Sequence, residues 1–328
     1  MRSSILTRLL VGFATAAMIS LAMSEPAKAQ KRIVLTYDDA PLGAGRVFTG
    51  EERATALIEG LRSVNAGPVA FFVKTRGFDT EPDGRERIRR YAAAGHFIAN
   101  HSHTHQWAHR TSVEDYLADI DTAQERLQGI ENRRPWYRFP YLDEGRTPDK
   151  ISGIAGGLAM RGLTNGYVTI DNYDWHVDRR LQQALRDGRS VDYEKLGRFY
   201  VRMLLYAAEF YDSLAVQRLG ESPVHVLLLH ENDLAALYAD ELVNAFRASG
   251  WEVVSPDLAY GAPLPPPETV HTGQGRVVGL ATDAGRHRST MWTWAIDEEM
   301  IDLELGRSGA IQMTPSVEPA PANADGQP

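Results

Sequence analysis

Short β-branched and aromatic runs alternate with longer stretches of helical periodicity from residue 32 to about 230, and that alternation restricts the chain to architectures built on a parallel sheet. The segments 32–37, 68–73, 97–100, 136–138, 164–170 and 224–229 read as strands. Helices are predicted over 51–64 and over 84–94, the latter stopped by Gly95, and a further one opens at Ser112 with Asp115 three residues on. The segment 193–219 is apolar at helical spacing, so the long connection between 175 and 223 adds a helix or two. No internal repeat is found. The expected fold class is α/β, with the parallel sheet open or closed into a barrel.

The two ends differ from this body. Arg2 and Arg8 precede an apolar run over 9–23, and Ala27-Lys28-Ala29 offers a small-x-small cleavage site, so 1–29 reads as a secretory signal peptide. The run is too short and too interrupted for a membrane anchor, so no membrane association is expected after cleavage, and the product is expected in the periplasm or outside the cell. Removal of three basic residues and one acidic one takes the formal charge from -8 to about -10, which argues against nucleic acid partners. With no cysteine, disulfides and thiolate ligands are excluded, and any metal must be held by histidine and carboxylate. Residues 30–262 form the expected catalytic domain. Pro263-Leu-Pro-Pro-Pro267 reads as a stiff linker opening an extension over 263–328. Short helices are predicted there over 275–284 and 296–305, with a disordered tail from about 314.

Five groups of chemically capable residues each follow a predicted strand. Asp38 and Asp39 end the first strand; alternation would aim adjacent carboxylates in different directions at one rim. Asn100 to His109 holds four histidines, and two imidazoles four residues apart share a face if the segment turns helically. That spacing fits His101 with His105 or His105 with His109. Arg138 stands at another strand end before Phe139-Pro140-Tyr141. Asp171-Asn-Tyr-Asp174-Trp175-His176 closes the next strand, and His230-Glu231 ends the run 224–229. Taken singly, each has an ordinary explanation: Asp before proline suits a turn, a surface arginine is common, and tryptophan is more often core than site. Their shared position is not ordinary, because the strand ends of β/α proteins are where active sites form.

In order and spacing these groups resemble the five motifs of the polysaccharide deacetylases, carbohydrate esterase family 4 with its NodB-homology domain. Thr-Tyr-Asp38-Asp39, His101-Ser-x-x-His105, Arg138-x-Pro140-Tyr141, Asp171-x-x-Asp174-Trp175 and Leu227-x-Leu229-His230 span most of the chain ahead of the extension. Ala40 stands where the family usually has glycine, and Phe139 where a second proline is frequent. The resemblance implies a distorted (β/α) barrel of about seven strands. It implies Zn2+, or another divalent transition metal such as Co2+, on Asp39, His101 and His105. It further implies Asp38 as general base, held ionised near neutral pH by Arg138, and His230 as general acid oriented by Asp174. The Tyr141 backbone N–H would stabilise the oxyanion, and Trp175 would form a substrate wall. His103 and His109 would stand behind the site or on the surface.

The implied reaction is removal of N-acetyl or O-acetyl groups from an acetylated glycan by zinc-activated water. Three other readings compete: hydrolysis of a cyclic imide or ureide on the same barrel, a non-catalytic glycan-binding relative, and an iron oxygenase using two histidines and a carboxylate. The β/α alternation disfavours the oxygenase scaffold. Polymer identity and oligomeric state have no sequence signal.

Overall fold

The computed structural model describes residues 30–270 and 273–312. The export signal read over 1–29 and the tail read from about 314 lie outside the described residues. The described residues form seven strands: β1 Lys31–Ala40, β2 Ala70–Val73, β3 Phe97–Asn100, β4 Arg133–Tyr137, β5 Thr164–Asn165, β6 Val224–His230 and β7 Trp251–Val253. All paired strands run parallel, in the order β5-β4-β3-β2-β1-β6, and β7 adds to the start of β1. Along its first residues β1 lies between β6 and β7, and along its last between β6 and β2.

The sheet curls into a distorted barrel. Arg138, just past β4, bonds Asp38 and Thr36 of β1 although β3 and β2 lie between them in the sheet, so these groups meet across the interior. The predicted strand over 164–170 is only partly a strand. Gly166 leaves β4 after one bond to Tyr137 O, packed so tightly on Phe72 that an added Cβ would meet its ring at 2.6 Å. The chain then crosses to β6, where a single parallel bridge, Ile170 with Leu227, closes the ring.

Alternation along β1 sorts its side chains. Ile33, Leu35 and Tyr37 join the main core with Ala54, Leu57 and Leu61 of the helix Gly50–Ser63. Val34 instead meets Tyr167, Val226 and Ala259, and Thr36 and Asp38 continue that inner row towards the mouth. The helix Tyr193–Leu219 lies in the main core through Phe199, Tyr200, Met203, Leu204 and Tyr211. Each such large apolar side chain stabilises the fold by roughly 1.5–3 kcal/mol when fully buried. Asp192 caps its first turn, and Gly220 at φ 84° ends it, a conformation an L side chain disfavours.

The extension packs on the same body. Helices Gly275–Asp283 and Glu298–Ser308 contribute Val277, Val278, Ile301 and Leu305 to the main core. Gly275 docks with φ 76° against the chain leaving β5, where an added Cβ would meet Val168 O at 2.5 Å. Among the described residues no helix is long and apolar enough to cross a membrane.

Candidate active site

The C-terminal ends of β1, β3, β4 and β6 open on one cavity of about 630 Å³. Asp38, Asp39, His101, His105, Tyr141, Trp175 and His230 all line it. Simple strand alternation does not describe the two aspartates. The register slips between Tyr37 and Ala40, and Asp39 takes φ 66°, so both carboxylates face the mouth instead of opposite sides. Left-handed backbone at Ser102, His105, Tyr141 and Leu142 adds further local strain at the same rim.

The histidine segment does not turn helically, contrary to the expectation from its spacing. Two polar anchors shape it as a loop. Asn100 Oδ1 accepts from Ser102 N at 2.7 Å, and Asp119 accepts from the backbone N–H groups of His103 and Thr104 at 2.8 and 3.1 Å. Ser102 Oγ in turn accepts from His105 N at 2.9 Å. The loop brings His101 Nε2 and His105 Nε2 to 3.2 Å from each other, and Asp39 Oδ1 lies 3.9 and 3.4 Å from them. His109 is held elsewhere, its Nδ1 2.7 Å from Asp143 Oδ2, so of the two pairs the spacing allows, 101 with 105 is the one that shares a single carboxylate, Asp39. His103 Nδ1 sits 3.0 Å from Thr75 Oγ1.

Asp39, His101 and His105 have the chemistry of a cation site. Donors about 2 Å from one ion at tetrahedral angles lie roughly 3.3 Å apart, close to the separations here. His101 Nδ1 is 2.9 Å from Arg138 O, and because a carbonyl only accepts, the proton is on Nδ1 and the Nε2 lone pair faces Asp39. Burial, reinforced by His105, pushes the His101 imidazole well below its ordinary range, and burial lowers His105 as well. Both are therefore neutral donors. Burial would raise the Asp39 carboxyl, but His105, Lys74 and His101 together outweigh it and hold the group well below the usual carboxylate range. Asp39 Oδ1 is buried and accepts no hydrogen bond, and its contact with positive charge is the Lys74 ammonium at 3.2 Å.

Beside this cluster sit two further pairs. Arg138, 1% exposed, donates from Nη1 to both Asp38 oxygens at 2.8 and 3.1 Å and lies over the Phe72 ring at 4.0 Å. The sequence expectation gave Arg138 control of Asp38. Burial is instead the larger influence, pushing the carboxyl up to about 6 against the pull of Arg138. The group is still ionised at neutral pH. His230 Nδ1 lies 2.7 Å from Asp174 Oδ1, and Asp174 Oδ2 accepts from His230 N and Asn232 Nδ2 at 2.9 and 3.1 Å. Burial opposes the imidazolium, but the Asp174 carboxylate outweighs it and raises His230 to about 9. One rim thus carries an ionised carboxylate and a protonated imidazole together at neutral pH.

Aromatic side chains complete the cavity. Trp107 and Tyr141 stack at 3.8 Å with 4° between their planes, and Trp175 stands in the first turn of the helix Asp174–Arg186 beside Tyr173. Several supporting contacts escaped the sequence reading. Glu231, fully buried, accepts from Leu42 N and Tyr91 Oη at 2.6 and 2.8 Å, and Asp233 accepts from Arg53 Nε at 2.9 Å. This network ties the loop after β1 to the chain after β6. Asp171 Oδ2 accepts from Gln274 N at 3.0 Å, which brings the extension to the cavity wall.

With this geometry in place, comparison with known proteins shows what the chain is similar to. Residues 25–156 match the family model of the polysaccharide deacetylases. That segment, which holds the Asp38-Asp39, His101–His105 and Arg138–Tyr141 groups, is the part of the chain similar to that family, and His230 and Asp174 lie beyond it. A peptidoglycan-N-acetylglucosamine deacetylase from Bacillus cereus is 28% identical over 153 residues, 46% of this chain and 50% of the relative. The chain thus spans about half the length of the curated relative it matches. Among solved structures, the polysaccharide deacetylase Bc1974 from Bacillus cereus aligns with a TM-score of 0.49 and 19% identity over 68% of this chain and 91% of that one. A family 4 carbohydrate esterase from Streptomyces lividans in complex with acetate aligns with a TM-score of 0.44 and 20% identity over 69% and 94%.

Proposed function

We propose that the protein is an exported, metal-dependent hydrolase that removes acetyl groups from a glycan, with Asp39, His101 and His105 holding a divalent ion, zinc or a similar transition metal. The observation that carries this reading is the convergence of three cation donors, an ionised carboxylate and a protonated imidazole on one cavity, in a chain whose residues 25–156 match the polysaccharide deacetylase family model. When bound, the ion supplies Lewis acidity towards an acyl oxygen and towards water.

The chain's own groups perform the proton transfers. Asp38 accepts a proton from the attacking water as the new bond to the acyl carbon forms, and Arg138 keeps the carboxylate aimed. The Tyr141 N–H donates to the developing oxyanion. His230, kept protonated and oriented by Asp174, delivers its Nε2 proton to the departing nitrogen or oxygen as the acyl bond breaks. Acetate and the deacetylated sugar leave, and exchange with solvent returns the proton from Asp38 and restores the one on His230. Trp175 and the Trp107–Tyr141 stack offer flat apolar faces for sugar rings.

Acetate release from a panel of acetylated xylan and chito-oligosaccharides, before and after chelation and with zinc or cobalt restored, tests the reading. Release that chelation abolishes and metal restores is expected. Cyclic imide opening without any acetate release would overturn it.

A further inference from the structure

The deepest unexplained contact at the rim is a lysine against a metal-donor carboxylate. Lys74 follows β2 directly, and its backbone N–H donates to Ala40 O at 2.9 Å, which pins it beside the strand end that carries Asp39. Its Nζ lies 3.2 Å from Asp39 Oδ1. This is the same oxygen that faces His105 Nε2 and His101 Nε2, and it accepts no hydrogen bond. Lys74 is absent from the cavity lining, so its ammonium reaches the carboxylate from behind and not from the side where substrate would sit.

We propose that Lys74 is a resident counter-cation for Asp39: it balances the carboxylate in the ion-free protein and opposes the divalent ion when one binds. The inference rests on the metal reading above. One carboxylate oxygen then serves two cations. A single negative charge cannot fully compensate a divalent ion and an ammonium a few ångströms apart, so they repel across the shared oxygen. The lysine side chain is 26% exposed, and its four-carbon stem lets the ammonium withdraw towards water when the ion arrives. The ion-free site keeps a satisfied charge and its open shape, and the ion is held less tightly than three such donors alone would hold it. Binding at this site is therefore exchangeable and readily reversed by chelators.

The test compares the wild-type protein with Lys74→Met and Lys74→Arg, using zinc itself as the probe against a chromophoric chelator. Lys74→Met should bind one equivalent of zinc at least about tenfold more tightly, and Lys74→Arg should stay near wild type. Thermal melting provides a second reading: zinc-free Lys74→Met should melt below the zinc-free wild type, and its rise on zinc addition should be larger. Equal or weaker zinc affinity in Lys74→Met, with one equivalent still bound by both proteins, overturns the role of Lys74 and leaves the metal reading standing. No zinc uptake by the wild type or either variant overturns the metal reading and this inference with it.

Discussion

His101, buried, and His230, partly buried, sit on the same rim among charged groups, yet they are driven in opposite directions. The partner of Nδ1 accounts for much of the difference. His101 gives its Nδ1 proton to a backbone carbonyl, which adds no charge, so desolvation prevails and the ring stays neutral with Nε2 free to donate. His230 gives its Nδ1 proton to the Asp174 carboxylate, whose charge outweighs desolvation and keeps a second proton on Nε2. Two residues of one type thus differ in charge largely according to the acceptor behind each.

The sharpest way to break this comparison is Asp174→Asn, which takes away the charge while keeping the shape. Turnover should fall on the order of a thousandfold to ten-thousandfold with zinc uptake unchanged, measured as kcat for acetate release beside metal content. A loss under tenfold would mean that His230 does not depend on its carboxylate. Next in size is Asp38→Asn. It should cost on the order of a hundredfold to a thousandfold and remove the low-pH limb of the rate profile.

That profile can be measured on the unaltered protein. Asp38 must be ionised and His230 protonated, so kcat/KM should rise as pH climbs through about 6 and fall as it passes about 9. Outside those limits the change is roughly tenfold per pH unit, and a profile still rising at pH 10 would remove His230 as the acid. The smallest effect concerns neither proton carrier. Trp107→Ala takes away the partner of Tyr141 and a flat face, and should raise KM by up to about tenfold with kcat within about threefold.

Much of the architecture was legible in the sequence because parallel strands buried on both faces leave continuous apolar runs. β2, β3 and β6 are of that kind, and Tyr193–Leu219 declares itself through helical spacing. β7 was not legible, since three residues carry no period. The curled course of 164–170 depends on Gly166 meeting Phe72, a contact between distant residues. The same divide runs through the site. Groups that follow strands could be found by position, whereas Asp119, Glu231 and Lys74 gain meaning only from atoms far along the chain. Even the direction of the Asp38 shift needed the structure, because burial depth is a three-dimensional quantity.

The lone bridge between Ile170 and Leu227 has a mechanical consequence. The closure is narrow: Thr169 N and Ile170 N donate to Val226 O, Leu228 N donates to Ile170 O and Asn172 Nδ2 donates to Leu228 O, whereas Asp38 and Asp39 ride on a strand flanked along its length. The stretch that leads to Asp174 therefore has fewer backbone ties to the sheet than the strand carrying Asp38 and Asp39. Amide exchange at Thr169, Ile170 and Leu228 would report that narrow closure as a unit faster than the neighbouring β1 amides.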